Sequence, residues 1–312
     1  AVIGLRDLPG ASIVDALFGT GLSQHARLIT LATAQESGLP DSLMAERFKG
    51  REGVNELFHF EIDALSTSTD LELAGFIGEE ISLKLLQADG TRRAWHGICT
   101  DAAWLGADGG VARYRLRLQP ALSLLGLRRD SFIFQDKNAQ DVIGELLADY
   151  PQVRFEFDVT QTLAVRPIWT QYRESDLEFL QRVLASEGLS WRFEHAQNDL
   201  EADDGQARHK VVFFDSKAAV PATPGVSLLR FHGVRATDTD DGIDAFSARR
   251  QVQANAVTLS SWDPAQLMAP AAEQSTGLDI GELPSLSIYD GSAERRHLNN
   301  DSVDAHSRLV LQ

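Results

Sequence analysis

Arg113-Tyr114-Arg115-Leu116-Arg117-Leu118 places three apolar side chains and three guanidinium groups on opposite sides of an extended chain. Strand side chains alternate with a period of two, so this run predicts a half-buried strand with one wet face. Working outward, Asp108-Gly109-Gly110 marks a turn just before it, and Trp95–Trp104 supplies the strand across that turn. Further upstream, Ile81, Leu83 and Leu85 alternate toward Asp89-Gly90, and Thr91–Thr100 leads away. Asp-Gly between two strand-like runs predicts a primed turn, in which both central residues take positive φ. In Leu57–Asp63, Phe58, Phe60 and Ile62 point one way while His59, Glu61 and Asp63 point the other. Alternation of this kind, repeated with tight turns between, predicts an antiparallel sheet curled into a small barrel.

The period changes near residue 130. Val142, Ile143, Leu146 and Leu147 share one helical face just after Asn138, a suitable N-cap, and Pro151 stops that helix. Val153, Phe155, Phe157 and Val159 alternate with Arg154, Glu156 and Asp158, which predicts another strand. Ser175-Asp176-Leu177-Glu178 has the spacing of a capping box, Leu177, Leu180, Val183 and Leu184 form an apolar stripe, and Gly188 is placed to end the helix. Leu189, Trp191 and Phe193 begin the next strand. From about 209 the chain returns to short strands at Lys210–Asp215, Ser227–Phe231, Phe246–Arg250, Ala256–Trp262 and Leu286–Tyr289. Pro264 to Pro284 reads as a loop, and Arg295–Gln312 has weak helical spacing with no stop signal, so the chain is expected to end in mid-element. At the other end, Ala11–Phe18 suits a short helical turn broken by Gly19-Thr20-Gly21, and residues 1–24 read as a leader segment.

Composition bounds the function. The 312 residues correspond to roughly two domains at ~150 residues each. With 43% hydrophobic and 24% charged residues the chain can bury real cores, which excludes disorder over most of it. No apolar run approaches the ~18–20 residues of a membrane-spanning helix, and Ala1–Gly10 lacks the pattern of a secretory signal. With 29 basic and 45 acidic residues the net charge is −16, which argues against nucleic acid or anionic membranes as partners. The single Cys99 excludes an internal disulfide and fits a reducing compartment; in an alternating strand it reads as a small buried filler.

No nucleophile elbow, phosphate loop, dinucleotide fingerprint or His-Glu-x-x-His pair is present. The histidines at 25, 59, 96, 195, 209, 232, 297 and 306 have no metal-ligand spacing. A hairpin could bring His195 and His209 together as ligands, but surface or edge-strand positions are the expectation. Asp199, Glu201, Asp203 and Asp204 before Gly205, and Asp238, Asp240, Asp241 and Asp244 around Gly242, were weighed as calcium loops. In the second, the glycine falls at the fifth position rather than the sixth, and Arg249 stands where the bidentate glutamate belongs. Both read as solvated turns. No catalytic, cofactor-binding or metal-ligating residue is nominated, and no enzymatic activity is expected.

Two blocks carry a family resemblance. Ala112-Arg113-Tyr114-Arg115-Leu116 with Leu124-Leu125, Leu127-Arg128-Arg129-Asp130 and Ile133-Phe134-Gln135 resembles the VgrG spike proteins of type VI secretion. Gln171-Tyr172-Arg173-Glu174-Ser175-Asp176, with Phe179-Leu180, Arg182, Glu187-Gly188 and Phe193-Glu194-His195, resembles the same family, as do Arg27-Leu28-Ile29-Thr30-Leu31 and Phe58-His59-Phe60-Glu61. The resemblance spans about residues 25–312. It implies a fold like the hub of contractile phage tails: two related antiparallel β-barrels flanking a small α+β domain. The expected division is a leader at 1–24, a first barrel at 25–128, the α+β domain at 129–208, and a second barrel, incomplete, at 209–312.

The resemblance further implies a homotrimer that caps a hexameric tube, since two similar barrels per chain give six similar surfaces from three chains. Such a base is cytoplasmic before firing and is then delivered without a signal peptide, to puncture target cells and carry effectors. Its partners would be other copies of itself, the tube protein, and spike-tip proteins, effectors or adaptors held by regions outside these residues. Tyr114 and Tyr172 are expected to pack, and Ser175 with Glu178 to cap a helix. The alternatives are the tail hub of a prophage or phage-derived particle and, from another class, a cell-wall or polysaccharide hydrolase working through carboxylates distant in sequence.

Overall fold

A computed structural model describes residues 3–4, 28–33, 43–87, 90–197, 208–219, 230–231, 242–243, 245–249, 251–264, 266–276, 284–291, 297 and 299–311. The chain forms two compact units, Ala1–Ala218 and Ala219–Gln312. The turn expected at Ala11–Phe18 lies outside the described residues.

The first unit opens with β1 (Ile3–Gly4), β2 (Ile29–Thr33), β3 (Met44–Gly53), β4 (Glu56–Ser66), β5 (Glu80–Leu86), β6 (Arg92–Asp108) and β7 (Val111–Gln119). They join in one antiparallel sheet of order β1-β3-β4-β7-β6-β5-β2. The alternation is realised as read. Phe58, Ile62, Tyr114, Leu116 and Leu118 are buried inside the curl with Ile81 and Leu83, while Arg113, Arg115 and Arg117 stand on the outer face. There they meet acids on the neighbouring strand, Asp63 lying between Arg47 and Arg115, and Glu61 between Lys49 and Arg117. End strand β2 comes close to β3, but among the described residues no ladder joins them, so the sheet is a curled half-barrel rather than a closed barrel.

The two hairpins differ from each other. Gly109 and Gly110, at φ +57° and +81°, form the two-residue loop between Asp108 and Val111, and this is the primed turn. At the earlier site the Gln87 N–H donates to Thr91 O (2.8 Å) and the Gly90 N–H to Gln87 O (3.0 Å), which closes a three-residue loop. Gly90, at φ +85°, is its left-handed third residue, so the two-residue primed turn expected there is replaced by the longer type. Asp89 lies outside the described residues.

The same unit continues through β8 (Arg129–Lys137), α1 (Ala139–Leu147), β9 (Arg154–Asp158), β10 (Arg166–Ser175), α2 (Asp176–Ser186), β11 (Ser190–His195) and β12 (His209–Phe214). β8 and β10 make an antiparallel ribbon; β12 lies between β11, antiparallel, and β9, parallel. Both helices start on reciprocal capping boxes, Asn138 with Asp141 and Ser175 with Glu178. α2 stops at Gly188 (φ +65°), where Gly188 N–H donates to Ala185 O and Leu189 N–H to Leu184 O. Their apolar faces meet Phe134, Trp169, Trp191, Val211 and Phe213 in one core.

The boundary expected at 208/209 therefore moves. β12 carries Val211 and Phe213 into the α+β core, and the unit runs to Ala218. Lys210–Asp215 had been assigned to a second barrel because a lone strand does not announce its partner.

The second unit contains β13 (Arg230–Phe231), β14 (Gly242–Ile243), β15 (Ala256–Ser260), β16 (Ala271–Ser275), β17 (Ser287–Asp290) and α3 (Asn300–Val310). β15 lies between β16 and β17, and Val257 and Leu259 pack with Val303 of α3. The stretch read as a loop from Pro264 contains β16, whose Ala-Ala-Glu-Gln-Ser has little strand propensity of its own and forms by pairing to β15. The strand expected at Phe246–Arg250 is not formed over described residues 246–249. Among the described residues this unit shows no second barrel.

Candidate assembly surface

The ribbon β8–β10 pairs Ile168 with Gln135, Trp169 with Phe134, Thr170 with Ile133 and Tyr172 with Ser131. One face carries Phe134, Trp169 and Gln171, all buried toward the helices. The opposite face carries Ile133, Ile168 and Tyr172, which are 53%, 58% and 65% exposed, alongside Ser131, Gln135 and Thr170. At one end of that face the Arg173 guanidinium lies 5.3 Å from the centroid of the Tyr172 ring. Exposed apolar residues scattered singly need no explanation; three across two paired strands make a patch suited to a protein partner.

The block Gln171–Asp176 is built around a bulge. Between Tyr172 and Glu174 the register shifts, and Arg173, the extra residue, takes φ +53° and donates its N–H to Ser131 Oγ (3.1 Å). Tyr172 follows Ile168 and Thr170 on the outward face, so the expectation that Tyr172 packs is corrected, and the bulge carries Glu174 to the other face, where it receives Arg182 of α2. Behind it, Gln171 and Asp176 are buried. The Asp176 carboxylate accepts from Tyr150 Oη (2.6 Å), Gln171 Nε2 (2.8 Å) and Arg128 Nε (3.1 Å) at the first turn of α2. Burial and then the bond to Asp176 push the Tyr150 hydroxyl above its ordinary pKa, so it stays a donor. Tyr114, by contrast, packs as expected, its hydroxyl donating to Ser68 O and accepting from Leu71 N–H.

The pair His195 and His209 is brought together, directly opposite each other on β11 and β12. His209 is buried and His195 half-buried with its side chain largely covered, rather than on the surface as expected, because the edge of the α+β sheet rests on β5 and β6 of the curled sheet. His96 N–H donates to His195 Nδ1 (3.0 Å), and His195 Nε2–H donates to Glu52 Oε1 (2.9 Å). Ala121 N–H donates to His209 Nε2 (2.9 Å), leaving Nδ1–H facing Glu80 Oε1 at 3.6 Å. His96 Nε2–H donates to Ala196 O and its Nδ1 meets Ser82 Oγ, both at 2.7 Å. Burial pushes His96 down to about 4 and also lowers His209. Burial acts upward on Glu52, but the bonds from His195 and Trp95 outweigh it and hold the carboxyl below its usual range. Of these ring nitrogens only His209 Nδ1 makes no hydrogen bond, and among the described residues no group of three His, Cys, Asp or Glu side chains is placed to hold a metal.

Two further contacts join the sheets. Asn55, at the tip of the β3–β4 hairpin with φ +59°, exchanges bonds with Trp191 through its backbone N–H and its Oδ1. The Gln197 amide pairs with both Ala94 N–H and Ala94 O, standing in for a neighbouring strand. Nothing in the sequence marked either residue, since a polar side chain near a turn looks the same whether it is solvated or docked.

Cys99 is buried, and burial pushes its thiol up to about 11, which leaves it an inert filler. His59 is exposed, and His297 and His306 lie together, buried, in the second unit. His25, His232 and the acidic residues of both clusters lie outside the described residues. Among the described residues no helix is long and apolar enough to cross a membrane.

Comparison with known proteins agrees with the fold. The family described as phage tail baseplate hub (GPD) matches residues 51–312. The chain is 28% identical over 244 residues to the type VI secretion system spike protein VgrG1b of Pseudomonas aeruginosa, covering 78% of this chain and 31% of the relative. It is 28% identical over 258 residues to VgrG1c of the same organism, covering 82% and 34%. The chain thus spans about a third of the length of these relatives. Among solved structures, an E. coli type VI secretion component similar to T4 tail proteins gp27 and gp5 superposes with TM-score 0.52 at 24% identity, over 60% of this chain and 49% of that one. A tail protein from Neisseria meningitidis superposes with TM-score 0.55 at 12% identity, over 91% and 74%.

Proposed function

The chain belongs to the phage tail baseplate hub family, and from that premise we propose that it is the structural, non-enzymatic base of a type VI secretion spike. In this reading three copies form a ring that caps a hexameric tube and travels with it into a target cell, carrying effectors attached through other regions. The two barrels implied by the family resemblance would supply six similar surfaces from three chains. The observation that carries the assembly reading is the apolar face of β8–β10, with Ile133, Ile168 and Tyr172 exposed and its nearby charge the cationic Arg173, on a strongly acidic chain. Copies of a protein of charge −16 repel one another, and a contact between them is favoured where that charge is absent and apolar area can be covered. Obligate assemblies bury about 2,000 Å² or more, so this face would be one part of a larger interface. A second reading, the hub of a phage-derived contractile particle, is favoured by the description of the matching family itself.

Light scattering on the purified chain tests the assembly. A trimer has a mass of three times 34.2 kDa, or 102.6 kDa, and the variant Ile168→Lys with Tyr172→Glu is expected to run as a monomer with unchanged circular dichroism. A native chain that stays at 34.2 kDa would remove self-assembly from this region, and a variant that stays trimeric would remove the ribbon from the interface.

A further inference from the structure

The curled sheet and the α+β sheet of the first unit meet through three buried imidazoles, on β6, β11 and β12. Their tautomers follow from their partners. His195 Nδ1 and His209 Nε2 each accept a backbone N–H, from His96 and Ala121, so each proton sits on the other nitrogen. His96 Nε2 faces the carbonyl of Ala196 and must carry its proton, leaving Nδ1 to accept from Ser82 Oγ–H. His96 and His209 are thereby held in defined tautomers, with burial opposing a charge on either ring. Phe58, fully buried, contacts His195 and His209 from the side of the curled sheet.

We propose that the His96–His195–His209 junction is an acid-sensitive latch, which fastens the two sheets at neutral pH and releases them when His96 and His209 take up protons. A second proton on His209 sets N–H against the Ala121 backbone N–H, which cannot turn away, so a bond is replaced by a repulsion. On His96 the second proton creates a charge at a site that is 2% exposed. The charged groups facing the cluster do not compensate. Glu52 on β3 is already engaged by His195, Trp95 and, at 3.9 Å, Arg93. Glu80 on β5 accepts Arg208 N–H and is 3.6 Å from His209. Arg208 and the neighbouring imidazole of His195 oppose a charge on His96. This device goes beyond the spike reading and does not depend on it: acid surroundings would loosen the base between its sheets while each core stays folded.

The linkage has a definite sign. An imidazole whose folded pKa is depressed contributes its stabilisation above the unfolded value, 6.5, and loses it as the pH falls toward about 4. For His96 alone the ratio of open to closed junction rises about tenfold by pH 5.5 and about 80-fold by pH 4.5.

Hydrogen exchange read by mass spectrometry on the whole chain, between pH 7.5 and 4.5 and corrected for intrinsic rates, tests this. Peptides covering residues 94–98 and 190–196 are expected to lose protection by those factors, while residues 179–184 of α2 keep theirs. Unchanged protection at the junction, or equal loss in α2, would overturn the latch. His96→Gln with His209→Gln, whose amides accept without titrating, is expected to flatten the response. Should that variant fail to fold, histidine NMR titration of the native chain decides. The His96 resonance must move well below pH 6 in the same step as the loss of protection, and an ordinary titration without that loss refutes the proposal.

Discussion

Replacing Asp176 by alanine is expected to lower the unfolding free energy of the first unit by about 3–5 kcal/mol. The carboxylate is completely buried and is the shared acceptor for Tyr150, Gln171 and Arg128. Without it the Tyr150 hydroxyl and the Gln171 amide, both buried, are each left short of an acceptor at a cost of about 1–3 kcal/mol. Arg128 is 45% exposed and regains water, so its lost ion pair adds under about 1 kcal/mol. Loss of a negative charge from the first turn of α2 adds roughly another 0.5 kcal/mol. Asp176→Asn keeps the shape and one acceptor oxygen and turns the other into a donor, so its cost is expected to fall at about 1–3 kcal/mol. Urea unfolding followed by tryptophan fluorescence reads both variants, because Trp169 and Trp191 lie in the same core. A loss under about 1 kcal/mol for alanine would refute the network as a stabilising centre. Equal losses for the two variants would place the effect in the helix charge instead.

Two other outcomes follow from local geometry. A Cβ at Gly50 would stand 2.0 Å from Cδ1 of Phe60, a ring held between Phe58 and Trp95, so Gly50→Ala is expected to cost about 1–3 kcal/mol and to lower the melting temperature; an unchanged melting curve would show that the ring yields freely. Burial alone would push the Asp215 carboxyl up, but backbone N–H bonds from Gln161, Thr160 and Lys217 outweigh it and hold the group at about 2. Its folded pKa is depressed, so its contribution of about 2 kcal/mol is complete above the unfolded value, 3.8, and is lost as the pH falls toward 2. Stability measured at pH 5 and pH 2.5 should fall more in the native chain than in Asp215→Asn.

What could be read from the sequence was what short-range periodicity encodes. The strands around Phe58 and Tyr114, both capping boxes and the stop at Gly188 were all recoverable, because each depends on residues within a few positions of one another. Pairing was not recoverable. His209–Phe214 has the same alternation whether it joins the α+β sheet or another one, and only the match of Val211 to Phe155 and Phe193 decides. The histidines failed for a related reason. His96 and Ser82 occupy outward positions of the curled sheet, where alternation predicts solvent, and they are buried only because another sheet covers that patch. A buried polar face between two sheets has the sequence of a wet one.

The block from Gln171 to Asp176 shows how far this ambiguity reaches into function. Its inward members, Gln171, Ser175 and Asp176, close a hydrogen-bonded centre at the start of α2 and are needed whether or not a second copy is present. Its outward members, Tyr172 and Arg173, do nothing comparable for the fold: Tyr172 is 65% exposed, and Arg173 holds a left-handed conformation that costs a side chain about 1 kcal/mol. The bulge is what separates the two sets, since with Arg173 paired in a regular ladder Tyr172 and Glu174 would fall on the same face of the ribbon. A single recognisable block therefore joins two constraints that respond to different measurements. Substitutions at the inward positions should alter stability at constant mass, and substitutions at Tyr172 should alter mass at constant stability. If Tyr172 variants instead changed stability alone, its exposure would reflect a strained local solution, and the outward face would lose its claim as an assembly surface.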